Sequence, residues 1–190
     1  MFLIRHGESE WNARFKVTQE DPGIRDAPLT PVGREQAAAA AEQLRVHDVR
    51  RIITSPLTRA LETAGIIASA LDLPITVEPL VCEQFYYSCD VGTPRSQLSE
   101  LWSHLDFSHL EEEWWQAQGE SEQAMIERCV AFREAMAAAE DWPFVAVVSH
   151  WAFIKGLSGK DTRNAEPVRF DPTAEPVVYE GSLGWPASDA

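Results

Sequence analysis

The sequence predicts an α/β protein, a three-layer α/β/α sandwich around a mostly parallel central sheet. Short apolar runs of strand length alternate with helical periodicity along the chain, the pattern of a sheet with helices packed on it. One run, Phe144 to Val148, is nearly continuous and suits a central strand buried on both faces. With 45% hydrophobic residues, a chain of 190 residues can bury a real core, and residues 1–190 read as a single domain.

Phe2 to Ile4 is the first strand, and it ends abruptly in the polar group Arg5-His6-Gly7-Glu8, with Gly7 permitting a sharp exit. From Asn12 to Thr30 no clean period appears; Asp21-Pro22-Gly23 and Ala27-Pro28 are turn chemistry, so the segment reads as a surface loop. Thr30 is an N-cap, Pro31 takes the first helical position, and the alanine-rich stretch to Leu44 carries the helix. Arg51 to Thr54 is a second strand. Ser55-Pro56 starts a helix that continues from Leu57 through Leu71, and Ile75 to Val77 is a third strand.

From Glu83 to Gly119 the pattern breaks into aromatic, acidic and turn-forming residues, which reads as an insert with short helices. Its aromatic group, Phe85, Tyr86, Tyr87, Trp114 and Trp115, could line a pocket for a substrate's organic part, but packing of a lid onto the core is the commoner use and the one expected. Glu122 to Ala139 is helical by period and propensity, and the strand Phe144 to Val148 ends at Ser149-His150. The proline-rich tail from Pro167 offers edge strands at Val168 to Phe170 and Val177 to Tyr179.

Charge narrows the function. Sixteen basic against 30 acidic residues give a formal charge of -14, which repels nucleic acid and anionic lipid, so an anionic ligand must be drawn in by a local cluster of cations. Three cysteines, Cys82, Cys89 and Cys129, contain no close pair of the zinc or redox kind and fit reduced thiols. No long apolar run and no basic leader occur, so the expectation is a soluble, cytoplasmic protein with no membrane and no nucleic acid as partner.

The local cluster is visible. Two strands far apart in the chain each end in a histidine, at Arg5-His6 and Ser149-His150, and a third leads into a helix whose first turn holds Arg59. In an open α/β sheet that edge is where ligands bind, and a helix N-terminus favours anions. If the three strand ends are neighbours, Arg5, Arg59, His6 and His150 suit a tetrahedral dianion, because arginine forks bind phosphate bidentately. A neutral histidine there is a competent nucleophile toward phosphorus. A carboxyl group is then needed to protonate the leaving alkoxide; Glu83 is placed to supply it, with Glu78 as its nearest competitor. A lone histidine near an apolar strand is usually a hydrogen-bonded core residue, but four residues serving one anion argue otherwise. A zinc hydrolase built on the same histidines is disfavoured, since two arginines would repel the ion.

The segments Arg5-His6-Gly7-Glu8-Ser9-Glu10-Trp11-Asn12, Leu29 to Ala37, Ser55 to Ala64 and Ser149-His150 together resemble the histidine phosphatase superfamily, which includes cofactor-dependent phosphoglycerate mutases and small-molecule phosphatases. The resemblance covers roughly residues 2–157 and implies a phosphoglycerate mutase-like fold. By it His6 is the phosphorylated residue, Arg5, Asn12, Arg59 and His150 hold the phosphate, His150 also serves catalysis, and Glu83 is the acid and base. It further implies a small-molecule phosphate ester as partner and no metal or other cofactor, and it leaves a homodimer open. The stretch Cys89-Asp90-Val91-Gly92-Thr93-Pro94 with Leu105-Asp106-Phe107-Ser108 resembles phosphatase-like branches rather than the mutases' substrate segment, and Trp151 stands after His150 where many members carry glycine or serine. The expected activity is hydrolysis of phosphomonoesters, with phosphoglycerate mutase and a catalytically silent phosphate-binding protein as alternatives. Its pH profile should be bell-shaped and mildly acidic.

Overall fold

The computed structural model describes residues 1–176. Its sheet consists of β1 (Phe2–Arg5), β2 (Arg51–Thr54), β3 (Ile75–Val77), β4 (Val145–Ser149) and β5 (Pro167–Arg169), in the spatial order β3-β2-β4-β1-β5. Among the described residues four strands are parallel and only β5 runs antiparallel, pairing Leu3 with Val168. The helices are α1 (Glu10–Thr18), α2 (Pro31–Leu44), α3 (Thr58–Leu71), α4 (Arg95–Leu101), α5 (Glu122–Ala138) and α6 (Trp151–Ser158).

Side chains alternate across the strands, so each face of the sheet builds its own core. Leu3, Ile53, Val145 and Val147 pack against Met125, Cys129 and Phe132 of α5 and Phe153 and Ile154 of α6. Phe2, Ile4, Ile52, Ala146 and Val148 pack against Ala40, Ala41 and Leu44 of α2 and Ala60, Ala64 and Ile67 of α3. Coverage of both faces explains why β4 reads as an unbroken apolar run. It also makes the expected three layers.

The register places the site. Arg5 lies beside Ser149, and Thr54 beside Val148, so the C-terminal ends of β1, β4 and β2 are level and adjacent. His6, His150 and the segment entering α3 therefore leave the sheet at one edge.

The sequence reading is corrected at two places. Residues 10–18, whose greater part reads as loop, form α1, capped reciprocally by Ser9 and Asn12. The helix has no apolar stripe because only Trp11 and Asn12 of it are buried, and Val17 is exposed, so period alone could not reveal it. Gly7 serves a purpose other than the one expected. Its φ is not positive, but a Cβ there would run into the carbonyl of Gly33, and a Cβ on Gly33 would run into the backbone of Glu8. The two glycines let the loop after β1 and the start of α2 touch backbone to backbone, a contact sealed by Thr30 N–H donating to the Glu8 carbonyl at 2.9 Å.

Between residues 83 and 119 the chain forms a 3-10 turn at Ser88–Asp90 and the short α4. The edge strand at Val168 is present as β5, whereas the one expected at Val177 to Tyr179 lies outside the described residues.

Candidate active site

His6 is fixed at three points. Its backbone N–H donates to the Ser149 carbonyl at 2.9 Å, its carbonyl accepts from the Asn164 amide at 2.9 Å, and its ring Nδ1 lies 2.7 Å from the Gly7 carbonyl. A carbonyl can only accept, so Nδ1 carries the proton and the lone pair is on Nε2. Arg59 Nε donates to that Nε2 at 3.3 Å.

The His150 ring stands 5.1 Å from the His6 ring, centroid to centroid. His150 is fully buried, and neither ring nitrogen has a hydrogen-bond partner among the described residues; Arg5 Nε is in the same condition. Each such group costs about 1–3 kcal/mol, so leaving them unpaired on two adjacent strand ends is what a binding site tolerates and a stable core avoids. Arg5 keeps one contact, from Nη1 to the Thr162 carbonyl at 3.5 Å.

Glu83 follows the 3-10 turn Pro79–Val81 beside β3. One of its oxygens, Oε1, accepts from the backbone N–H of Gln84 and of Ala152, both at 3.0 Å, which leaves Oε2 outside these bonds. The competitor Glu78 instead caps the 3-10 turn through Leu80 N–H at 3.0 Å. Asn12 spends its carboxamide oxygen on Ser9 N–H at 3.1 Å, so only its donor end remains.

Burial governs the protonation states. It pushes His6 well below the usual histidine value, helped by the positive charges of Arg59 and Arg5, and does the same to His150. Burial also raises Glu83 to about 7, with the charge of Asp90 adding to it and Arg59 opposing. For Arg59 burial works against the charge, but Cys89, Asp90 and Glu83 outweigh it and raise its pKa. Near neutral pH the site thus holds two neutral imidazoles, two guanidiniums and a carboxyl group at its midpoint.

Three residues that the sequence reading missed hold this arrangement. Asp90 forms a buried ion pair with Arg59 Nη2 at 2.9 Å, while Arg59 Nη1 donates to the Cys89 carbonyl at 2.7 Å, so both terminal nitrogens are taken by the turn Ser88–Asp90. Arg128, on α5, donates to the carbonyls of Leu80, Cys82 and Glu83 and pairs with the buried Glu120 at 2.6 Å. Asp26 accepts from Thr58 at the start of α3 and from Thr93. Only Arg128 carried a sequence signal: it flanks the stripe Met125, Cys129, Phe132, Met136, where a charge needs a partner.

Arg5, His6, Asn12, Arg59 and Glu83 all line one cavity of about 280 Å³. Trp11, Phe15, Tyr87 and Trp151 line it too, together with Cys89 and Asp90. Of the insert's aromatic residues only Tyr87 reaches the cavity; Trp114 packs with Leu98 and Phe107 instead. Among the described residues no group of three or more His, Cys, Asp or Glu is arranged to hold a metal ion, and no helix is long and apolar enough to cross a membrane.

The profile of the histidine phosphatase superfamily, branch 1, matches residues 1–171. The chain belongs to that superfamily. Among curated members it is similar to proteins named "Probable phosphoglycerate mutase GpmB". That of Yersinia enterocolitica is 42% identical over 83 residues, 44% of this chain and 37% of the relative. That of Klebsiella pneumoniae subsp. pneumoniae is 33% identical over 140 residues, 67% of this chain and 58% of the relative. The matches thus span between 37% and 58% of those relatives' length. Solved structures share the fold. A mycobacterial glucosyl-3-phosphoglycerate phosphatase matches with TM-score 0.59 and 22% identity, over 88% of this chain and 87% of its own. A phosphoserine phosphatase of Entamoeba histolytica matches with TM-score 0.59 and 22% identity over 87% of each. The mixed α/β sandwich and the superfamily expected from the sequence are thereby both shown.

Proposed function

We propose that this histidine phosphatase superfamily member hydrolyses small-molecule phosphomonoesters through a phosphohistidine on His6. The observation that carries the reading is the His6 Nε2 lone pair, fixed by the Gly7 carbonyl at the opposite ring nitrogen and lying in a cavity with Arg5, Arg59 and Glu83. Arg5, His150, the donor end of Asn12 and the Nε of Arg59, which turns from His6 Nε2 to the incoming group and so frees the lone pair, hold the phosphoryl group.

In the first step Nε2 attacks phosphorus, the bond from phosphorus to the ester oxygen breaks, and Glu83 gives that oxygen its proton. In the second, Glu83 takes a proton from water, the water oxygen attacks phosphorus, and the N–P bond breaks. The phosphoryl charge is met by guanidiniums, so the scheme uses no metal ion. A carboxyl group of pKa about 7 is suited to both its tasks near neutrality.

The test is a stopped reaction of wild type and His6→Ala with a chromogenic phosphate ester, followed by intact-mass analysis. Turnover and an acid-labile phosphate adduct, both lost in the variant, are expected; turnover that survives in His6→Ala removes His6 as nucleophile. A second reading, phosphoglycerate mutase, is favoured by the names of the curated relatives. Interconversion of 3- and 2-phosphoglycerate outpacing their hydrolysis would establish it.

A further inference from the structure

We infer that the cavity takes a phosphomonoester whose organic part is a flat aromatic group bearing no second anion. The inference rests on the phosphohydrolase reading for its chemistry and on the cavity wall for its specificity. Trp11 and Phe15 are stacked, 4.5 Å apart at 13°, and the Tyr87 ring closes on them at 4.8 and 5.5 Å. All three line the cavity beside His6. The wall is braced from behind: Asp21 accepts from the Trp11 indole at 2.9 Å and from Ser88 N–H at 2.9 Å, tying α1 to the turn after Tyr87. A braced aromatic wall binds a flat ring without first having to be ordered.

The charges exclude the alternative. Arg5 and Arg59 are the only cationic side chains among the described residues lining the cavity, and Asp90 and the Cys89 carbonyl already hold both terminal nitrogens of Arg59. Once a phosphoryl group engages Arg5 and Arg59 Nε, a carboxylate elsewhere on the substrate has no cation to meet. It faces Asp90 and Glu83 instead, in a chain of formal charge -14. A phosphorylated hydroxy acid such as phosphoglycerate is therefore the wrong occupant.

Aryl esters are also intrinsically more reactive, so the decisive readout is binding as well as rate. Calorimetry on the wild-type protein would compare benzylphosphonate with 3-phosphonopropionate, which differ in the ring and the carboxylate and cannot turn over. Alongside it, kcat/KM would be measured for 1-naphthyl phosphate and glycerol 3-phosphate in wild type, Phe15→Leu and Phe15→Ala. Benzylphosphonate should bind at least about tenfold more tightly, and the naphthyl-to-glycerol ratio should fall about tenfold in Phe15→Ala and less in Phe15→Leu. Equal or tighter binding of 3-phosphonopropionate overturns the substrate class and leaves the hydrolysis reading standing. An unchanged ratio in both variants overturns it as well, as does failure of both phosphonates to bind. Selective binding of benzylphosphonate with no turnover and no phosphoenzyme supports the ligand class and sinks the hydrolysis reading alone.

Discussion

The two halves of the cavity are built by different means. His6, Arg5 and Arg59, with the His150 ring packed beside His6 rather than lining the cavity, stand at the ends of hydrogen-bonded strands or in the first turn of a helix, so backbone register sets their positions. Glu83, Tyr87, Cys89 and Asp90 sit on a segment with little regular structure, held in place by side chains from elsewhere: Arg128 behind Glu83, Asp21 behind Ser88, Asp26 behind Thr93. The first half is secured by a ladder that no single side chain controls. The second depends on individual ion pairs and hydrogen bonds, and each should be breakable by one substitution.

The largest effect is expected in the strand-end half. His6→Ala should lower turnover of a chromogenic ester by about 10⁴-fold or more, since the nucleophile acts as a unit with its partners. Circular dichroism and melting should change little, because the ladder is untouched. Glu83→Gln should cost about 10²–10⁴-fold in kcat/KM and remove the alkaline limb. In the wild type, kcat/KM should fall as pH rises through about 7, where Glu83 loses its proton. The acid limb should lie well below the usual histidine value because His6 is held neutral by burial and the two arginines. The same residue sharpens the comparison through stability. The folded pKa lies above the ordinary carboxyl value of 4.5, so Glu83 favours the fold below that value, and the benefit is lost as pH rises toward 7. Glu83→Gln should therefore melt higher than wild type at pH 8 and near it at pH 4.5.

Arg128→Met tests the clamps. It strands the buried Glu120 carboxylate and releases three carbonyls, and thermal melts should show a loss of about 3–5 kcal/mol. A second change, Glu120→Leu, should restore much of that stability but not the rate, since Glu83 would still lack its support. Equal recovery of both would show that Arg128 only stabilises. The smallest effect belongs to Asp21→Asn. Partial burial pushes the Asp21 carboxyl up, but hydrogen bonds from Ser88, Gly23 and Trp11 outweigh it and bring it to about 2. Its contribution is present above the ordinary value and lost as pH falls toward 2, and being largely exposed it should amount to less than about 1 kcal/mol. Acid titration of the melting temperature would show the difference from wild type shrinking below pH 4.

The same division governs what is legible in the sequence. β1, β2, β3, β4, α2, α3 and α5 announce themselves through apolar period and caps, and the strand-end residues take their places from those elements alone. The helix α1 does not, because its buried side is one tryptophan and one asparagine. Asp90, Arg128 and Asp26 carry no pattern that names their partners; each works on residues remote in sequence, and nothing short of the fold brings them together. The aromatic run of the insert reads as lid packing, which holds for Trp114 but not for Tyr87, whose partners Trp11 and Phe15 lie on the helix that shows no period.

The strand order has a consequence for how the protein comes into being. Among the described strands β1 has no neighbour in the sheet until β4 and β5 arrive, and both follow it by a long stretch of chain. His6 is thus made well before its neighbours and is among the last residues to find its surroundings, because closure of a long loop must precede the contacts that reward it. During that interval the apolar Phe2, Leu3 and Ile4 remain unpaired, a segment that chaperones would be expected to cover. In refolding experiments, formation of the phosphate adduct should accordingly lag behind protection of the α2 and α3 amides and coincide with that of β1 and β4.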